Sequence, residues 1–158
     1  GLEFTDPEQA HVTMKFLGEG PDGSHDLEAL SAAIERAIDA ADVGPFDAGF
    51  EGIGVFPSLE YIRVVWLGVE AGSDELTALH EALEAETTAL GYEAEPHDFT
   101  PHVTLARMEH AAAKETVQEA VEETHPVAGS LRVEELRLTE STLTPEGPEY
   151  ETLERFPL

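Results

Sequence analysis

A chain of 158 residues with 41% hydrophobic content can bury a core, as one domain or as two small lobes, and it has no apolar run long enough to cross a bilayer. It has no cysteine, which excludes disulfides and thiolate zinc sites, and no signal-peptide pattern, so the cytoplasm is the expected compartment. Its 34 acidic residues against 8 basic ones leave a net charge of −26, spread among apolar residues rather than gathered in a tail; this is the surface expected of a halophile's protein, and one on which a phosphate must be held locally by the few cations.

The chain begins at Gly1 rather than Met, and Phe4-Thr5-Asp6-Pro7 reads as the interior of a protein, so an N-terminal piece is expected to be missing. Residues 10–17 alternate as a strand ending at Gly18, and Gly20-Pro21-Asp22-Gly23 marks a turn. Ser24 is the predicted cap of a helix to about Ala41, with Leu27, Leu30, Ile34 and Ile38 at helical spacing. Phe46 to Val55 reads as a strand closed by Phe56-Pro57-Ser58, and Tyr61 to Val69 as a β-branched and aromatic strand. Ser73 opens a second helix, with Leu76, Leu79, Leu83 and Leu90 on one stripe and Gly91 as its stop. A strand over about 101–107, a helix over 111–124 and two strands, about 127–139 and 148–155, complete the chain; Thr144-Pro145-Glu146-Gly147-Pro148 joins the last two.

One pattern occurs twice in this order. His11-Val12-Thr13-Met14 and His102-Val103-Thr104-Leu105 each alternate a histidine and a threonine with apolar residues. Each copy is followed by a helix and then a pair of strands. The repeat predicts two similar α+β lobes, pseudo-symmetric, with mostly antiparallel sheets facing a cleft. No linker separates them, so residues 1–158 are expected to form one domain.

The repeated residues are suited to anion chemistry. His11, Thr13 and Lys15 share one strand face, and imidazole, hydroxyl and ammonium together are wrong for a core and right for a phosphate. His102 and Thr104 repeat the pattern, while Arg107 has the opposite parity and needs a strand end or a bulge to join them. A single His-x-Thr is most simply an ordinary surface pair; two copies, each near a cation, favour a site. Two imidazoles in opposite protonation states are the minimum for acid–base work on a phosphodiester. His97-Asp98 mimics a metal cluster, but there is no cysteine and no second ligand at helical spacing, so no metal is expected. His25 and His80 read as solvated helical residues, and His110 and His125 as flanking the third helix, His125 meeting its C-terminal dipole. Trp66 and Phe56 read as core, or as platforms for a nucleobase if they lie near the cleft.

The segment from His11 to Gly18 resembles the first signature of the 2H phosphoesterases, specifically the RNA 2′,3′-cyclic phosphodiesterase branch, historically called 2′-5′ RNA ligase. Gly52 to Pro57, Val65 to Val69, Phe99 to Arg107, and Ser141-Thr142-Leu143 through Tyr150 resemble that branch in the same order. The resemblance covers nearly all of the chain and departs at the front, where the family's short strand and helix before the first motif are absent. It implies an α+β bilobal fold with two mostly antiparallel sheets, helices outside, and both motifs lining a central cleft. It implies His11 as proton donor to the leaving O3′ and His102 as proton acceptor from water. Thr13, Thr104, Lys15, Arg107 and Phe56 would hold the phosphate or substrate. The expected partners are RNA ends or nucleotides bearing a 2′,3′-cyclic phosphate, with no cofactor, no membrane and a monomeric state. In-line attack suggests that acid and base come from opposite lobes. Ligation, the same chemistry reversed, and a non-catalytic module that binds RNA ends are the competing readings.

Overall fold

The computed structural model describes residues 2–145 and 147–158. Among these, the chain runs β1 (Leu2–Phe4), a 3-10 turn (Pro7–Gln9), α1 (Leu27–Ala41), β2 (Phe46–Pro57), β3 (Ile62–Val69), α2 (Ser73–Ala89), β4 (His102–Met108), a second 3-10 turn (Ala111–Ala113), α3 (Lys114–Glu123), β5 (Val127–Val133), β6 (Glu135–Thr144) and β7 (Gly147–Pro157). No helix among the described residues is long and apolar enough to cross a membrane. The fold is mixed α+β, with antiparallel sheets and three α-helices, and it divides into two compact units that are each discontinuous in sequence.

Unit 1 comprises the segment up to Thr13, Asp47–Ser73 and Thr100–Leu131. Its framework is the sheet β1-β4-β3-β2-β5. β-branched and aromatic residues make β3 and its partners good strands, and their alternation sends alternate residues to opposite faces. On one face Ile62, Val65 and Ala106 are buried with Val117 of α3, and Leu2, Ile53, Val55, Met108 and Val121 pack around them. Burying this set against α3 leaves the other face for the site.

Unit 2 comprises Met14–Phe46, Asp74–Phe99 and Arg132–Leu158. It holds α1, most of α2 and the β6–β7 hairpin. Buried Leu30, Ala33, Ile34 and Ala37 form the inner stripe of α1, and Leu76, Leu79, Leu83 and Thr87 that of α2. Leu136, Leu138 and Phe156 bury one end of the hairpin. Ser31 donates to Glu154 at 2.6 Å and Arg36 pairs with Glu86 at 2.9 Å, tying α1 to β7 and to α2.

Several expectations are corrected. The cap of α1 is Asp26, whose carboxylate accepts the Ala29 N–H at 3.1 Å, not Ser24. Residues 10–17 form no continuous strand: Val12 makes an isolated antiparallel bridge to Val103. From Phe4 to Val12 the chain advances eight residues while β4 advances only three, from Ala106 to Val103, and the Pro7–Gln9 turn takes up the excess. A short strand, β1, does precede the first motif, pairing Leu2 with Met108 and Phe4 with Ala106. The stretch 127–139 is two strands, β5 at the edge of the large sheet and β6 in the hairpin, because the chain changes sheets at Glu134. The last turn joins Thr144 to Gly147; Glu146, within it, lies outside the described residues. The division between the units falls within the first motif, between Thr13 and Met14, while the second motif lies in unit 1.

Candidate active site

The site is assembled on the face of the large sheet opposite α3. Register pairs Gly68 with His102 and Trp66 with Thr104, so these four residues share a face. Gly54 pairs with Trp66 and Phe56 with Val64, which brings Phe56 to the same side. The first motif meets the second at an isolated antiparallel bridge, Val12 to Val103.

Arg107 reaches this face by a bulge. Val65 pairs with Ala106 and Trp66 with Thr104, leaving Leu105 as the extra residue. The bulge inverts parity beyond it, so Ala106 goes to the core and Arg107, opposite Val64, joins the site face, where it is exposed.

His102 is held from several sides. Its Nδ1–H donates to the Thr100 carbonyl at 2.6 Å, because a carbonyl can only accept. The neutral ring therefore keeps its lone pair on Nε2. Phe56 meets the ring edge-on, with centroids 5.0 Å apart at 80°, and Trp66 lies at 5.9 Å. Phe56 and Trp66 contact each other at 5.2 Å. Trp66 needs Gly54 beneath it, since a Cβ there would fall 2.1 Å from its Cζ2. The Trp66 indole nitrogen is buried and has no hydrogen-bond partner among the described residues. His11, by contrast, is exposed.

Lys15 does not join this group. Its side chain is 4% exposed and belongs to unit 2, where Nζ pairs with Glu84 and donates to the Glu93 carbonyl at 2.5 Å. The Glu84 carboxyl is raised by burial but, on balance, held below its usual range by the Lys15 hydrogen bond, the Glu95 N–H, and the charges of Lys15 and His80. No strand carries Lys15, because among residues 10–17 only Val12 bridges to β4.

Of the other histidines, His110 and His125 flank the third helix as expected and His25 is exposed, though ahead of α1 rather than on it, while His80 departs from the reading. His80 is buried, and its Nδ1–H donates to the Met14 carbonyl at 2.8 Å. His25 bridges the Gly18 carbonyl and the Tyr92 hydroxyl. His125 pairs with Glu51 at 2.8 Å, and His110 accepts the Ala112 N–H at 3.3 Å. No group of three or more His, Asp or Glu side chains among the described residues is placed to hold a metal. A cavity of about 380 Å³ in unit 2 is lined by Leu27, Glu28, Ser31, Ala32, Glu35 and Glu154. Its three carboxylates would repel a phosphate, and no motif residue lines it. Sequence reasoning missed the Thr100 carbonyl, the glycine seats of Trp66 and the burial of His80. Gly54 and Gly68, flanking an aromatic on paired strands, were the available signal.

Residues 4–144 match the family model described as the 2′-5′ RNA ligase superfamily. The chain is 35% identical over 158 residues to the RNA 2′,3′-cyclic phosphodiesterase of Methanothermobacter thermautotrophicus, covering 99% of this chain and 83% of that protein. It is 33% identical over 153 residues to the protein of the same name from Aeropyrum pernix, covering 96% and 84%. A crystal structure of a Thermus thermophilus protein superposes with a TM-score of 0.78 at 32% identity, covering 100% of this chain and 82% of that one. E. coli LigT complexed with 3′-AMP superposes at 0.69 and 25% identity, covering 98% and 80%.

Proposed function

The chain belongs to the 2′-5′ RNA ligase superfamily, and we infer that it is an RNA 2′,3′-cyclic phosphodiesterase using His11 and His102 as its acid and base. One observation carries the assignment of roles. His102 gives its Nδ1–H to the Thr100 carbonyl, so the neutral ring presents a basic Nε2 on the same face as Thr104. That is the state a proton acceptor needs.

The reaction then proceeds as follows. His102 Nε2 takes a proton from water as its oxygen attacks phosphorus. The P–O3′ bond breaks, His11 gives its proton to O3′, and a 2′-phosphomonoester remains. Each proton transfer contributes about 10²–10⁴-fold. Thr13 and Thr104 donate to the non-bridging oxygens, and Arg107, brought round by its bulge, offsets their charge. Phe56 holds the base imidazole and offers an aromatic edge to the nucleoside. Lys15 is left out of phosphate binding, since its charge is met by Glu84. The scheme needs no metal. The protein acts as a monomer in the cytoplasm of a halophile, on RNA ends or nucleotides carrying a cyclic phosphate.

The test is hydrolysis of a 2′,3′-cyclic nucleotide in molar KCl, following which monoester forms. The 2′-phosphate is expected. Formation of the 3′-phosphate, or no turnover by folded protein, would overturn the proposal.

A further inference from the structure

Two of the points where the chain passes between units adjoin the motifs. Thr13–Met14 is the last step of the first motif, and Phe99–Thr100 precedes the second. Within unit 2 one side chain holds both Met14 and Phe99. His80, 7% exposed on α2, donates its Nδ1–H to the Met14 carbonyl at 2.8 Å and stacks flat on Phe99, with centroids 4.2 Å apart at 5°.

The hold on the first segment extends beyond His80. One helical turn on, Glu84 accepts from Lys15 and from the Glu95 N–H, and Glu95 accepts the Phe16 N–H at 3.1 Å. Three successive residues, Met14, Lys15 and Phe16, are therefore pinned. On the other side, Phe99 immediately precedes Thr100, whose carbonyl orients His102. An aliphatic residue at position 80 could fill the space. It could not both stack on Phe99 and donate to Met14.

We propose that His80 is a positioning residue for both members of the acid–base pair, fixing Met14 at the end of the first motif and Phe99 just before the second. The proposal rests on the reading of His11 and His102 as acid and base. Misplacing a catalytic group by about 1 Å can cost about 10²-fold in rate.

The two contacts can be separated. His80→Asn keeps a donor near Nδ1 and loses the stack; His80→Phe keeps the stack and loses the donor. Phe99→Leu removes the stack while leaving His80 in place. The three full-length variants and the wild type are compared in molar KCl. The readouts are kcat and KM on a 2′,3′-cyclic nucleotide, thermal midpoint, and the imidazole ¹⁵N signals of His11 and His102. Each folded variant is expected to lose 10-fold or more in kcat, with KM within about 2-fold. The His102 signal should shift in His80→Asn and Phe99→Leu, and the His11 signal in His80→Phe. Folded variants with wild-type kcat and unmoved signals would overturn the proposal. If both His80 variants unfold, Phe99→Leu decides it: wild-type kcat and an unmoved His102 signal would overturn it. The ¹⁵N readout needs no turnover, so an inactive wild type would refute the activity without removing the test of the clamp.

Discussion

Gly54→Ala should damage the site through a single methyl group. A Cβ at Gly54 would lie 2.1, 2.3 and 2.5 Å from Cζ2, Cη2 and Cε2 of Trp66. Carbon atoms pack best at about 3.5–4.0 Å, so the indole must withdraw by roughly 1–2 Å. The backbone at Gly54 has no positive φ, so alanine fits the chain and the clash alone is tested. Overpacking of this kind costs about 1–3 kcal/mol. For a chain of this size that lowers the thermal midpoint by roughly 2–12 °C. The larger effect should be on rate. Trp66 lies 5.9 Å from the His102 ring and 5.2 Å from that of Phe56, so its withdrawal releases both. A loss of about 10²-fold in kcat is expected if the base moves by about 1 Å. Gly44→Ala is the matched control: a Cβ there meets nothing within 4 Å, and its φ is not positive. Paired melts and steady-state assays of a 2′,3′-cyclic nucleotide decide the matter. A Gly54→Ala protein matching the wild type in midpoint and kcat would refute the packing argument.

His11→Ala and His102→Ala should each abolish most turnover, and the double variant should lose little more, because the pair acts as one unit; additive losses in log kcat would count against this. The kcat/KM profile should be a bell in pH, with apparent values belonging to the pair, whereas a single sigmoid would leave only one titrating partner. Chelator should leave the rate unchanged, and restoration of a stripped sample by zinc would refute the two-histidine scheme. With a net charge of −26, the thermal midpoint should climb as KCl rises toward molar, and a flat curve would remove the halophile reading. The Glu84 carboxyl is held below its ordinary value of 4.5, so its contribution is complete above that value and lost as pH falls through the lower folded one. Glu84→Gln should therefore flatten the acid limb of stability against pH, measured by denaturant melts. The Tyr92 phenol is raised above 10.0 by burial and by Asp26, so its contribution is complete below 10.0 and lost as pH rises through the raised value. Tyr92→Phe should flatten that alkaline limb, and an unchanged limb would show that Tyr92 does not govern it.

Local order made much of this protein legible in its sequence. Leucine and isoleucine spacing marked α1 and α2, β-branched residues marked β3, and the repeated His-x-Thr with its neighbouring motifs pointed to the family and the chemistry. These signals act over a few residues, through helix periodicity and strand alternation, and need no partner to be read. What depended on partners was decided only by tertiary structure. Val12 touches β4 at one bridge because the Pro7–Gln9 turn takes up the excess chain, and that contact joins the first motif to the second. The extra residue Leu105 moved Ala106 into the core and Arg107 to the site, an inversion set by pairing with Val65 and Trp66. Lys15 followed the parity of a strand that ends before it, and its ammonium went to Glu84, 69 residues away in sequence. His80 read as a solvated helical residue because periodicity says which stripe it lies on and not what packs there. Register, bulges and long-range ion pairs are properties of two segments together, and a single stretch of sequence carries only half of each.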